Sequence, residues 1–266
     1  MRDIIKDKLN AIPSIEEKYN LLREYLQALV LKFIEEKGYI RNVAFVGGTA
    51  LRFLYDLKRF SEDLDFSLVS KRNFDFGDFL HELGRSFEAW NIKIEFKPKT
   101  KGAVANSFLK FPDLMQECGI TARKDEKLFI KVEIDCNPPA GFGTEVSFNQ
   151  KYMPMSIFHF DLPSLFAGKL HAVLMRQYTK GRDIYDLMWF LGKKTEPNFS
   201  QLENAIEQTT GKKPSLTTDV LRQMLIKKIS ETDFKKVHSE LQVFLADKSE
   251  LQYLTAANLK QSIEKM

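Results

Sequence analysis

Leu21, Leu22, Tyr25, Leu26, Leu29 and Phe33 recur at helical spacing behind Ser14-Ile15-Glu16-Glu17, which has the form of a capping box, and the pattern stops at Gly38. Side chains so spaced share one helix face, so the stretch predicts a long amphipathic helix. Val43-Ala44-Phe45-Val46 then reads as a short apolar strand, Gly47-Gly48 as a turn, Ala50 to Leu57 as a helix, and Asp63 to about Val69 as a second strand. Phe74 to Trp90 predicts another helix, and Ile92-Lys93-Ile94-Glu95-Phe96-Lys97 alternates as a strand with one wet face. Ala105 to Phe111 is a further strand candidate. From Phe129 to Cys136, Ile130, Val132, Ile134 and Cys136 fall on one side and Lys131, Glu133 and Asp135 on the other. Pro138-Pro139 ends that strand, because proline has no N–H to give to a ladder.

After Pro163 strand-like alternation disappears. Leu165 to Tyr178, Asp183 to Leu191, Phe199 to Thr209, Thr217 to Ile229, Asp233 to Leu245 and Leu251 to Ile263 all read as helices. The chain therefore divides into an α/β portion over residues 1–155 and a helical portion over 156–266. No internal repeat or low-complexity tract interrupts either.

Composition narrows the class without naming a chemistry. Of 266 residues, 44% are hydrophobic and 29% charged, the balance of a folded protein with a sizeable core. The two cysteines, Cys118 and Cys136, match no zinc or redox spacing and predict free thiols in a reducing compartment. Met1-Arg2-Asp3-Ile4-Ile5-Lys6-Asp7 mixes both charges where a secretory signal would be apolar, and no run reaches membrane-spanning length, so a cytoplasmic location is expected. A net charge of +4 permits an RNA or nucleotide partner without requiring one.

Chemistry enters with Asp63 and Asp65. On an extended strand they project from one face while Leu64 and Phe66 project from the other, and two adjacent carboxylates call for a cation. Gly47-Gly48 opens a helix whose backbone N–H groups suit phosphate oxygens, with the Thr49 and Ser61 hydroxyls as further donors. Asp135 is a third carboxylate, as metal ligand or general base, and Glu133 on the same face rivals it. Lys169 and Arg176, if on one helix, share a face and offer two cations to a triphosphate. Asp183 and Asp186 open the next helix; for Asp186 a cap or surface role is expected. Lys227-Lys228 and Lys235-Lys236 read as solvated surface that would also suit an RNA backbone. His171 lacks companions for a zinc site, and Gly-x-Ser-x-Gly is absent.

Gly47-Gly48-Thr49-Ala50-Leu51, followed by Arg59-Phe60-Ser61-Glu62-Asp63-Leu64-Asp65-Phe66, resembles the first motif of the AbiEii nucleotidyltransferase toxins, the toxin halves of abortive-infection toxin–antitoxin pairs. Phe166-Ala167-Gly168-Lys169-Leu170-His171-Ala172, Arg176 and Gly181-Arg182-Asp183-Ile184-Tyr185-Asp186-Leu187 resemble that family's later motifs. The resemblance implies an α+β fold like DNA polymerase beta: a mixed sheet flanked by helices, with a helical C-terminal domain. It also implies Mg²⁺, with Mn²⁺ as a substitute, and a nucleoside triphosphate. Carried across, Asp63 and Asp65 bind metal, with Asp135 beside them on general strand chemistry. Gly47, Gly48, Thr49 and Ser61 belong to the nucleotide side, Lys169, Arg176 and Arg182 to substrate binding, and Asp183 to activity. Relatives that add nucleotides to the 3′ end of tRNA imply transfer of NMP from an NTP to RNA, blocked by a cognate antitoxin. Transfer to a protein or small-molecule hydroxyl, and a noncatalytic RNA- or protein-binding module, are the alternatives.

Overall fold

A computed structural model describes residues 2–266; Met1, where the stretch read for a secretory signal begins, lies outside the described residues. Helices α1 (Arg2–Asn10) and α2 (Ile15–Glu36) come first. The Ser14 side chain accepts from the Glu17 N–H at 3.3 Å, as the capping box predicts. A 3₁₀ turn (Tyr39–Arg41) then leads into β1 (Val43–Val46), α3 (Gly47–Tyr55), β2 (Leu64–Leu68), α4 (Phe76–Ala89), β3 (Val104–Phe111), the single turn α5 (Leu114–Glu117), β4 (Leu128–Asp135), β5 (Thr144–Asn149) and β6 (Met155–Phe160). The remainder is α6 (Leu162–Met175), α7 (Gly181–Lys193), α8 (Phe199–Thr210), α9 (Thr218–Ser230), α10 (Phe234–Leu241), a second 3₁₀ stretch (Lys248–Tyr253) and α11 (Ala256–Glu264).

The six strands form one mixed sheet in the order β3-β4-β2-β1-β6-β5. β1 runs antiparallel to β2 and parallel to β6, while β4 runs parallel to β2 and antiparallel to β3. The described residues form two compact units: residues 2–55, 60–138 and 146–159, and residues 56–59, 139–145 and 160–266. In the first, Phe66, Leu109, Phe111, Ile130, Val132 and Ile134 turn one sheet face into the core, against Leu26, Leu29 and Phe33 of α2 and Phe79, Leu83 and Phe87 of α4. The second is helical, with Leu170, Leu187, Phe190, Leu202, Leu225 and Leu241 buried. Among the described residues no helix is long and apolar enough to cross a membrane.

Several elements depart from the pattern: β5 and β6 carry no clear signal in the sequence, α10 ends at Leu241 short of the expected Leu245, and the helix expected over 251–263 starts only at Ala256. Residues 92–97 make no strand: Glu95 and Lys99 bridge to Lys110 and Asn106 of β3, but between them the Ser107 hydroxyl donates to the Lys97 carbonyl at 3.1 Å. Pro98 lacks the N–H a continuous ladder needs, and Phe96 packs its ring against His81 at 5.7 Å between centroids. Helix α6 stops at Met175, because Arg176 turns extended (φ −68°, ψ 138°) and its carbonyl accepts from Lys228 Nζ at 3.2 Å.

Candidate active site

The acids of the first motif are placed by a direct passage from strand to helix. β1 hands over to α3 at Gly47, where φ is +80° and an added Cβ would lie 3.1 Å from both Cβ and Cγ of Asp65. Only glycine takes this backbone turn and leaves the Asp65 carboxylate its room. Two residues further, the buried Thr49 hydroxyl donates to the backbone carbonyl of Asp63. The first turn of α3 is thereby latched to the start of β2, with Asp63 and Asp65 beside the helix end whose N–H groups lack intrahelical partners. The arrangement suits an anion at the helix end and a cation at the carboxylates. The Thr49 hydroxyl proton is committed to this latch rather than to a phosphate.

Helix α2 holds the preceding loop from behind. Gln27 Nε2 donates to the carbonyls of Ser61 (3.2 Å) and Glu62 (3.0 Å), and Arg23 Nη1 lies 3.4 Å from the Glu62 carboxylate. The Arg52 guanidinium of α3 sits 4.0 Å from the Phe60 ring centroid and pairs with the buried Glu24. Sequence reasoning missed these supports. Their signal was present: Asn20, Arg23, Glu24 and Gln27 recur at helical spacing and are all buried, a polar stripe along an apolar helix.

Strand register gives the two rivals for third carboxylate different positions on the sheet. Asp65 pairs across the parallel ladder with Glu133, and Ser67 with Asp135, so Glu133 is level with Asp65 and Asp135 is one same-face step beyond. Glu133 is paired to Lys131 Nζ at 2.7 Å. Burial pushes the Asp135 carboxyl above its ordinary value, against a 2.9 Å hydrogen bond from the Asn137 N–H. Among the described residues no three acidic, histidine or cysteine side chains group into a metal cage. Asp63 and Asp65 remain as a hard oxygen pair. Such a pair fits Mg²⁺, which takes one or two carboxylates and completes its shell with water and substrate phosphate.

In the second unit the later motifs meet in a buried charge cluster. Asp186, fully buried on α7, accepts from Arg59 Nε and Nη2 at 2.6 Å each and pairs with Lys169 Nζ at 2.7 Å. Asp183, one turn earlier, takes Lys169 Nζ at 3.3 Å and Arg176 Nη1. Asp186 is therefore the hub of the cluster rather than a surface residue or cap. Burial alone would push its carboxyl up, but Arg59 and Lys169 outweigh that and hold it below the ordinary carboxylate range. Three cations, Arg59, Lys169 and Arg176, face two carboxylates, and the surplus charge sits toward Arg176, whose side chain is 42% exposed. Lys169 and Arg176 do not share a helix face as spacing suggested; they meet at Asp183 because α6 has already ended. Arg182 points elsewhere, its guanidinium 4.7 Å from the Phe244 ring centroid. His171 bonds to the Thr209 hydroxyl at 2.8 Å, a packing role.

The family model described as nucleotidyl transferase AbiEii toxin, type IV toxin–antitoxin system, matches residues 30–256. No curated protein matches the sequence. Among solved structures, JHP933 from Helicobacter pylori is similar in fold, with a TM-score of 0.54 and 21% identity over 92% of this chain and 90% of that one. An H. pylori protein provisionally described as a nucleotidyltransferase gives a TM-score of 0.53 and 20% identity over 92% of this chain and 96% of that one.

Proposed function

The chain belongs to the AbiEii nucleotidyl transferase toxin family and is a nucleotidyltransferase, and on that premise we propose that it transfers NMP from an NTP to the 3′ hydroxyl of an RNA, with tRNA as the acceptor. The transfer joins the RNA 3′ oxygen to the α-phosphorus and breaks the bond from that phosphorus to the bridging oxygen of the β-phosphate, so pyrophosphate leaves. The hydroxyl proton goes to a carboxylate, to which we assign Asp135. Membership also implies an antitoxin that restrains the protein.

Support comes foremost from one juxtaposition: Gly47 against Asp65, and Thr49 bonded to the Asp63 carbonyl. It sets the Asp65 carboxylate, and the backbone that carries Asp63, beside a helix end that favours anions. Asp63 and Asp65 would hold Mg²⁺, which when bound neutralises charge building on the phosphates. Gly47 and Gly48 give backbone N–H groups to phosphate oxygens, and Gln27 keeps the Ser61 loop from drifting off them. In the helical unit, Lys169 is assigned a point contact to the triphosphate and Arg176 a forked one, with Asp183 and Asp186 fixing their positions. Arg182 stacks on Phe244, and its assignment to substrate rests on the motif alone.

The test incubates purified protein with each labelled NTP, Mg²⁺ and total tRNA. Label is expected on RNA, and Asp65→Ala should abolish it with folding preserved. Label that persists in Asp65→Ala sinks the metal site, and label on protein alone moves the acceptor to a protein hydroxyl.

A further inference from the structure

The sheet face that carries Asp65 does not end at the acids. Ladder pairing places Asp65, Glu133 and Asn106 in one row across β2, β4 and β3. Residues two apart share a face, so the next positions on that side are Lys131 on β4 paired with Phe108 on β3, then Phe129 paired with Lys110. The two phenylalanines are 50% and 45% exposed (Phe108 and Phe129), although the opposite side of both strands is fully buried core. Each ring has a lysine from the neighbouring strand near it: Lys131 Nζ is 5.8 Å from the Phe108 centroid and Lys110 Nζ is 5.9 Å from that of Phe129. The bridged segment outside β3 adds exposed Lys97 and Lys99 along the same side, where the two acids, Glu95 and Glu133, are paired with Lys127 and Lys131 at 2.7 Å each. By strand geometry Phe108 stands about 12 Å from Asp65, two strands across and one same-face step along.

A solvated sheet face needs no aromatic rings, and a face bound for the core would not interleave them with ammonium groups. Alternating flat apolar rings and cations matches one partner chemistry, an unpaired nucleic-acid strand. Every base offers a π-face to stack on a ring, and every phosphate an anion to a lysine. A duplex keeps its base faces covered and fits poorly.

We propose that the β3–β4 face bearing Phe108, Phe129, Lys110 and Lys131, widened by Lys97 and Lys99, is the platform that holds the unpaired 3′ end of the acceptor RNA, with bases on the phenylalanines and phosphates on the lysines. The proposal rests on the RNA-transfer reading and deepens it. It makes the acceptor a single-stranded 3′ tail, with a blunt duplex a poor substrate.

The test uses the full chain. Binding of a fluorescent RNA with an unpaired 3′ tail is measured against salt, and steady-state labelling of tRNA is followed in parallel. The Phe108→Ala/Phe129→Ala pair should weaken RNA binding and raise the ratio of the RNA KM to the NTP KM at least tenfold, and Phe108→Trp should bind as tightly as the parent or tighter. Lys110→Gln with Lys131→Gln should flatten the slope of log K against log salt by about 1.4, the loss of two single-strand phosphate contacts. This pair decides the matter should the alanine pair melt early. Wild-type labelling of RNA with an unchanged KM ratio in both pairs overturns the platform and leaves the transfer reading standing. A wild type that neither binds nor labels RNA overturns both. Variants that keep RNA affinity but lose the antitoxin overturn the platform in favour of a protein-docking face.

Discussion

Arg59 and Asp186 make a bidentate ion pair in which neither partner sees solvent. Removing one charge leaves the other buried and uncompensated, a loss far larger than the pair's net worth. Asp186→Asn should therefore destabilise the protein by about 3–5 kcal/mol near neutrality, read by urea unfolding. The same pair sets a pH dependence. The folded Asp186 carboxyl lies below its unfolded value of roughly 3.9, so the unfolded chain binds the extra proton. The contribution is complete above that value and fades as pH falls through it toward the folded one. The stability gap between wild type and Asp186→Asn should accordingly narrow from pH 6 to pH 3, and a gap that stays constant would contradict the assignment. None of this was legible locally. A motif aspartate one turn into a helix looks like a cap until the fold reveals that residue 59 is its partner.

Between elements, the latch from α3 to β2 is the feature on which the acids depend. Thr49→Val keeps the shape but removes the donor to the part-buried Asp63 carbonyl, a loss of roughly 1 kcal/mol. Misplacing the acids by about 1 Å should lower kcat on the order of a hundredfold. Thr49→Ser, which retains the hydroxyl, should stay near wild type in the same assay, so a Ser variant as poor as Val would remove the hydrogen bond from the explanation. The elements that set this geometry were readable from the chain: the apolar run of β1, the double glycine, the amphipathic α3 and the alternation around Asp65. Register was not, because period-two alternation says which face a residue takes and nothing about its neighbour on the next strand. That is why alternation alone leaves Glu133 and Asp135 as rivals, while the ladder adds their positions, Glu133 opposite Asp65 and Asp135 opposite Ser67. Residues 92–97 misled for a related reason, since alternation is equally satisfied by a segment that packs Phe96 inward while Pro98 interrupts its ladder.

At the scale of the whole molecule, a net charge of +4 is too small to drive indiscriminate binding to RNA, so recognition has to come from local groupings such as the lysines of the β3–β4 face. Membership in a toxin family makes the cellular consequence measurable. Expression without its antitoxin should arrest growth, and Asp65→Ala should restore a normal doubling time; arrest that survives the substitution would separate toxicity from transfer. The buried pair of Arg59 and Asp186 adds a constraint of timing. The two residues are 127 positions apart, so a ribosome that has just made the first motif needs on the order of ten seconds before the partner of Arg59 exists. A nascent chain halted short of residue 186 therefore carries a guanidinium destined for burial with no carboxylate yet made to receive it, so the helical unit cannot close around Arg59 until most of the chain has been synthesised.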